Sequence, residues 1–250
     1  MKLRYITCSD PRENNSTKSI LDLAHLPRAE IAVQCHPSKM SEGMPRNQWF
    51  NKLLCEANMT DNVNLAIHIN CEWANDICAN GIIPETILKW LQIERVYNKP
   101  LIGRVQLNMP KATADNINAE ALAQIIHDFR HNEFVLQYND KTKEAVEKLH
   151  RTGAKFSLLF DASGGNGKSP DTWRAPIYET HPMGYSGGMS PENVARNLHE
   201  IEKLVPKNKF IWIDAEGRLK SNDLFYEKPV FDVNLARAYI ERANLWQKQH

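Results

Sequence analysis

Eight short runs rich in apolar and β-branched residues recur along the chain, at residues 3–7, 30–34, 63–69, 101–107, 133–138, 155–160, 182–186 and 209–213. Most of the segments between them carry apolar residues at helical spacing, as in Ala119, Leu122, Ala123 and Ile126, or Val194, Leu198, Ile201 and Leu204. Strands that alternate with helices must pair in parallel, because each helix carries the chain back to the start of the next strand. A count of eight favours closure into a (β/α)8 TIM barrel over a doubly wound open sheet, and 250 residues is the usual size of one such barrel. With no low-complexity segment or linker in view, one barrel domain over residues 1–250 is expected.

Composition narrows the function classes. A formal net charge of +1 gives no surface for a polyanion, so nucleic acid is not an expected partner. No apolar run approaches the length needed to cross a bilayer, and the first residues lack the apolar stretch of a signal peptide. Five cysteines with no CxxC pair fit a reduced, cytoplasmic protein better than a disulfide framework. The expected state is a monomer or homodimer acting on a small molecule.

In barrels the loops after the strands build the active site, and three are long here: 35–46, 71–81 and 161–181. The most informative stretch follows the seventh run. It reads Gly184-Tyr185-Ser186-Gly187-Gly188-Met189-Ser190-Pro191-Glu192-Asn193. Gly187 and Gly188 permit positive φ and close backbone approach, while Ser190 and Pro191 suit a helix start. Such a turn offers amides and a positive dipole end to a phosphate; a tight turn without a ligand satisfies the same residues. Asp161 ends the apolar run Phe156-Ser157-Leu158-Leu159-Phe160, an unusual place for a merely solvated charge, although a turn residue also fits. Cys8 ends the first run and reads either as a small buried apolar residue or as a functional thiol. Arg46 offers a planar guanidinium for a carboxylate, or pairs with an acid such as Glu42. Cys8, Cys35, His36, His68 and Cys71 all fall near the ends of strands one to three. Thiolate and imidazole are zinc ligands, but this spacing matches no standard zinc motif, so no metal is expected.

Taken together, these segments resemble the phosphoribosylanthranilate isomerase family in collinear order. Ile6-Thr7-Cys8-Ser9 resembles its Lys-Ile-Cys-Gly, and Leu65-Ala66-Ile67-His68-Ile69-Asn70 its Val-Gly-Val-Phe-Val-Asn. Val105-Gln106-Leu107 resembles the start of its Val-Gln-Leu-His-Gly. Leu159-Phe160-Asp161, Gly164-Gly165-Asn166-Gly167 and Asp171-Thr172-Trp173 resemble its Leu-Leu-Asp, Gly-Gly-Thr-Gly and Asp-Trp, and the Gly187-Gly188 stretch resembles its strand-seven loop. The resemblance implies a cofactor-free Amadori rearrangement of a phosphorylated aminosugar, a step of tryptophan biosynthesis. Cys8 would be the base and Asp161 the acid. Arg46 and Gln106 would contact substrate, and Gly187, Gly188 and Gly217 would hold its phosphate. Two departures stand where substrate is read. Asn108-Met109 replaces the family's His-Gly, and Glu216 replaces a serine of the phosphate cup. A carboxylate there repels phosphate unless it is paired, for which Arg218 and Lys220 are at hand, so Glu216→Ser is expected to strengthen phosphate binding. These departures keep open a diverged barrel that binds a phosphorylated or carboxylated metabolite without that turnover, or that catalyses a different sugar reaction.

Overall fold

The computed structural model describes residues 1–95, 99–161, 170, 172–223 and 225–249. Eight parallel strands close into a barrel: β1 (Lys2–Ser9), β2 (Ala29–Cys35), β3 (Asn64–Ile69), β4 (Ile102–Leu107), β5 (Glu133–Tyr138), β6 (Ser157–Asp161), β7 (Met183–Ser186) and β8 (Phe210–Ala215). Each strand pairs with its neighbours in sequence, and β1 closes the circle on β8, with Cys8 opposite Ala215. The chain is a (β/α)8 TIM barrel, as the alternation of runs implies.

Helices cover the outside of the barrel: α1 (Thr17–Ala24), α2 (Pro45–Asn58), α3 (Glu85–Leu91), α4 (Ala119–Asp128), α5 (Lys143–Arg151), α6 (Val194–Glu202) and α7 (Val233–Gln249). Their apolar faces pack on the outward side chains of the strands, and this shell holds most of the buried apolar residues. Among the described residues no helix lies between β6 and β7, where residues 172–182 run irregularly and Trp173 packs edge-on against Phe160 and Tyr185. The loop expected at 71–81 is instead helical. Cys71–Asn75 runs into a π-helical turn, Asp76–Asn80, which Gly81 ends at φ 69°.

Alternation along each strand decides which side chains enter the barrel. On β1, Thr7 bonds Glu30 and Ser9 bonds Asp214, so both point inward and Cys8 between them points out. The interior holds a small apolar group of Tyr5, Val135, Leu159 and Trp212. Trp212 lies against Gly184 so closely that a Cβ there would sit 2.1 Å from the indole. Below the mouth a charged pair is shut in. Glu30 takes hydrogen bonds from Thr7 Oγ1 and Arg104 Nη1, both at 2.8 Å, and the Arg104 guanidinium stacks over Trp212 at 4.2 Å and Tyr5 at 5.0 Å.

Candidate active site

The C-terminal ends of the strands open into a cavity of about 490 Å3. Its floor comes from inward residues near the strand ends: Gln34, His68, Gln106, Leu159, Asp161 and Asp214. Its rim comes from the following loops, with Asp10 and Arg12 after β1, the Gly187-Gly188 turn after β7, and Glu216, Gly217 and Arg218 after β8.

Asp214 is a cavity-floor carboxyl held toward its neutral form. Burial raises its carboxyl to about 7, helped by the nearby charges of Glu216 and Glu30 and opposed by the hydrogen bond from Ser9 Oγ at 2.6 Å. A carboxyl of this kind on a cavity floor is suited to general acid–base work near neutral pH. Asp214 was not among the residues singled out in the sequence, although it ends the run Phe210-Ile211-Trp212-Ile213 just as Asp161 ends its own. On the β3 part of the same floor His68 is a neutral imidazole. Burial pushes it down to about 3, and the Arg104 cation below acts in the same direction.

On the β7–β8 side, Gly187 and Gly188 take φ of 125° and 58°, conformations that favour glycine, and expose a turn to the cavity. Asn193 staples this turn by accepting from Ser190 N at 2.8 Å and donating to Gly188 O at 2.8 Å. The regular helix therefore opens at Val194 rather than at Pro191, although Ser190 Oγ does accept from the Glu192 amide at 3.2 Å. Gly217 faces open space, with nothing within 4 Å of an added Cβ. Arg218 is exposed on the same wall and is in no ion pair with a described residue. Glu216 is paired: Lys220 Nζ donates to Oε1 at 2.9 Å and Gln34 Nε2 to Oε2 at 2.9 Å.

Next to β8, at the end of β1, burial opposes ionisation of Asp10, but Arg12 and Lys220 outweigh it and hold the carboxyl below its usual range. Lys220 Nζ lies 2.8 Å from Asp10, and Arg12 is hydrogen-bonded to it. Arg46 lines the cavity from the first turn of α2, yet its Nε donates to Glu13 at 2.8 Å and its Nη1 lies 3.8 Å from Asp10. The guanidinium expected to receive a ligand carboxylate is thus engaged with the chain's own acids.

Of the residues singled out in the sequence, Asp161, Arg46, Gln106, Gly187, Gly188 and Gly217 all line this one cavity. Cys8 does not, and its assignment as base requires correction. Its thiol faces α7, with Sγ 4.0 Å from Ala236 O, and full burial holds it well above the ordinary thiol range. The reason is strand parity, since Thr7 and Ser9 take the two inward positions on either side. Gly164, Gly165, Asn166, Gly167 and Asp171 lie outside the described residues. The histidines and cysteines of strands one to three do not converge. Cys35 Sγ is buried against Val33 O at 3.5 Å and His68 sits inside the barrel, while His36 Nδ1 and Cys71 Sγ lie 3.3 Å apart on the rim. Among the described residues no group of three or more His, Cys, Asp or Glu is placed to hold a metal ion. No described helix is long and apolar enough to cross a membrane.

No protein-family model and no curated protein matches the chain. Solved structures do. The crystal structure of 3-hexulose-6-phosphate synthase from Salmonella typhimurium superposes with a TM-score of 0.52 at 10% identity, over 100% of each chain. The YdjI aldolase from Escherichia coli K12 gives a TM-score of 0.48 at 12% identity, covering 98% of this chain and 90% of that one. At these identities the likeness is one of fold. The resemblance to phosphoribosylanthranilate isomerase is not upheld: no family model matches the chain, and the solved structure that shares its fold over its whole length is that of a synthase. With Cys8 turned out of the mouth, the Amadori isomerisation and its place in tryptophan biosynthesis fall as well.

Proposed function

We propose that the chain is an enzyme that binds a small phosphorylated sugar in the barrel mouth and moves a proton on it, in a reaction other than the Amadori rearrangement. The observation that carries this reading is the meeting, in one open cavity, of Asp214 near 7 with the Gly187-Gly188 turn, Gly217 and the Arg218 cation. The glycines and Arg218 receive the phosphate, by backbone amides and by charge. Asp214 is the proton-transfer group, because it lies on the cavity floor and burial brings its carboxyl up to about 7. Asp161, at the end of β6 with β7 between it and Asp214, is a second carboxyl lining the same cavity. The amides of Gln34, Asn70, Gln106 and Asn108 suit the hydroxyls of a polyol, since each carboxamide donates and accepts. That 3-hexulose-6-phosphate synthase has the same fold agrees with a sugar-phosphate ligand without carrying the argument.

The test has two arms. Inorganic phosphate is titrated into labelled protein while the Gly187, Gly188 and Gly217 amides are followed by NMR. Ketose and aldose phosphates are then incubated with the enzyme in D2O, and loss of carbon-bound proton signals is recorded. Phosphate shifting those amides, together with exchange that Asp214→Asn abolishes while phosphate still binds, is the expected result. No amide shift, or exchange unchanged in Asp214→Asn, would sink the proposal.

A further inference from the structure

We infer that His68 presents its Nε2–H to the carbonyl or enediolate oxygen of an open-chain sugar phosphate, and that Glu216 sets this tautomer through a row of four carboxamides. The inference rests on the sugar-phosphate reading above and deepens it, by naming the atom that reads the carbonyl.

The row begins at the carboxylate and crosses three strand ends. Gln34 Nε2 donates to Glu216 at 2.9 Å, and Asn70 Nδ2 donates to Gln34 Oε1 at 2.7 Å. Asn108 Nδ2 donates to Asn70 Oδ1 at 2.9 Å, and Gln106 Nε2 donates to Asn108 Oδ1 at 2.9 Å. Every donor points the same way, toward Glu216. A carboxylate only accepts, so it fixes the orientation of Gln34, and each amide then fixes the next. Reversing the row would face Gln34 Oε1 against the carboxylate, oxygen to oxygen. It would also strip the His68 carbonyl of the hydrogen bond from Asn70 Nδ2 at 2.9 Å.

His68 lies between the two ends of the row. Gln34 Nε2 and Gln106 Nε2 each lie 3.4 Å from its Nδ1. Amide nitrogens do not accept, so a proton on Nδ1 would have no partner there and would face two donors. Nδ1 is therefore the acceptor and Nε2 carries the proton. The charged groups acting on the ring are Arg104 from below and Asp10 from the rim. Arg104 and burial together keep the ring from taking a second proton. A neutral imidazole N–H is suited to a carbonyl or enediolate oxygen, since it stabilises developing charge without surrendering its proton. Glu216, read from sequence as a liability beside a phosphate, becomes the anchor of the row.

The test reads the tautomer directly. Two-bond 1H–15N correlation spectra of 15N-histidine-labelled protein are compared with those of His68→Gln to find the ring signals. The wild type is expected to show the Nε2–H pattern from pH 8 to pH 5. Glu216→Gln keeps the shape but has one carbonyl oxygen for two donors, Lys220 and Gln34, so the row can reverse; its His68 is expected to gain the Nδ1–H pattern. Phosphoglycolohydroxamate, a phosphate-bearing enediolate mimic, is expected to shift the wild-type Nε2–H and to bind roughly tenfold more weakly to Glu216→Gln. Inorganic phosphate is expected to bind both proteins and leave the ring signal in place. An Nδ1–H ring in the wild type, or an unchanged ring in Glu216→Gln, overturns the inference even if phosphate binds. If the mimic binds without moving the ring, the donor role fails while the sugar-phosphate reading survives. If neither phosphate nor mimic binds, that reading fails and takes the donor role with it.

Discussion

Two layers of the same barrel use charge in opposite ways. In the lower layer, Glu30 and Arg104 are nearly sealed from water, and the pair is closed by Thr7 and by the rings of Tyr5 and Trp212. In the upper layer, further along the inward alternation of the strands, Asp214, His68 and the amides face an open cavity. Both are polar layers inside a barrel whose apolar core lies outside the strands. The lower pair is joined at 2.8 Å, with Arg104 Nε left without a hydrogen-bond partner, and has no room for a ligand; the upper groups keep hydrogen-bonding capacity facing a space. The difference teaches where to look for function: in partnered charges for architecture, and in cavity-facing groups of shifted protonation for chemistry.

The largest effect is expected from breaking the lower layer. Arg104→Ala strands the Glu30 carboxylate without its cation and removes a guanidinium stacked on two rings, at a cost of about 3–5 kcal/mol. Urea unfolding at pH 7 measures this, and adding Glu30→Gln should recover part of the loss. A cost below about 1 kcal/mol would mean that the lower pair is not the structural half of the comparison.

A second, smaller effect separates the layers by pH. Asp214 binds its proton more tightly folded than unfolded, so its stabilising share is present below its unfolded value near 4 and is lost as pH rises through about 7. The share is at most roughly 4 kcal/mol. His68 has the opposite sign: depressed to about 3, its share is full above 6.5 and is lost as pH falls toward 3. Between pH 4 and 6.5 the two slopes oppose each other, so the wild-type unfolding free energy should stay nearly level there, whereas in Asp214→Asn the His68 share is left alone and stability should rise with pH over that interval. A wild-type profile identical to that of Asp214→Asn would show that the carboxyl is not perturbed.

The smallest effect concerns the shell outside both layers. Cys8→Ala is expected to cost about 1 kcal/mol, from lost packing against α7, and to leave phosphate binding unchanged. If sugar-phosphate turnover is found and Cys8→Ala abolishes it with the fold intact, the placement of Cys8 outside the chemistry is wrong.

Much of the architecture was legible because periodicity is local. The eight runs match the eight barrel strands to within about two residues at their ends, in keeping with the usual scatter of such boundaries. The helical spacing of Ala119, Leu122 and Ile126 marks α4, and that of Val194, Leu198 and Ile201 marks α6. Part of the cavity was legible too, because Asp161 and Gly187-Gly188 carry signals in single residues: a charge ending an apolar run, and a turn only glycine makes easily. Asp214 carries the first of those signals and was missed beside Glu216, the more conspicuous charge two residues on. Cys8 was misread because a family resemblance supplied a role that strand parity denies. Thr7 and Ser9 flanking it, polar on both sides of an apolar Ile6 and Cys8 face, were the available hint.

By itself the sequence determined the number, order and kind of the elements, since hydrophobic spacing and turn residues act over a few neighbouring positions. Tertiary structure alone decided which residues share a wall. Glu216 meets Gln34 across 182 positions and Arg104 meets Glu30 across 74, and closure of β1 on β8 makes both layers into rings. Charge and hydrogen-bond direction depend on those distant partners, so a carboxylate that reads as repulsive in the chain becomes an anchor in the fold.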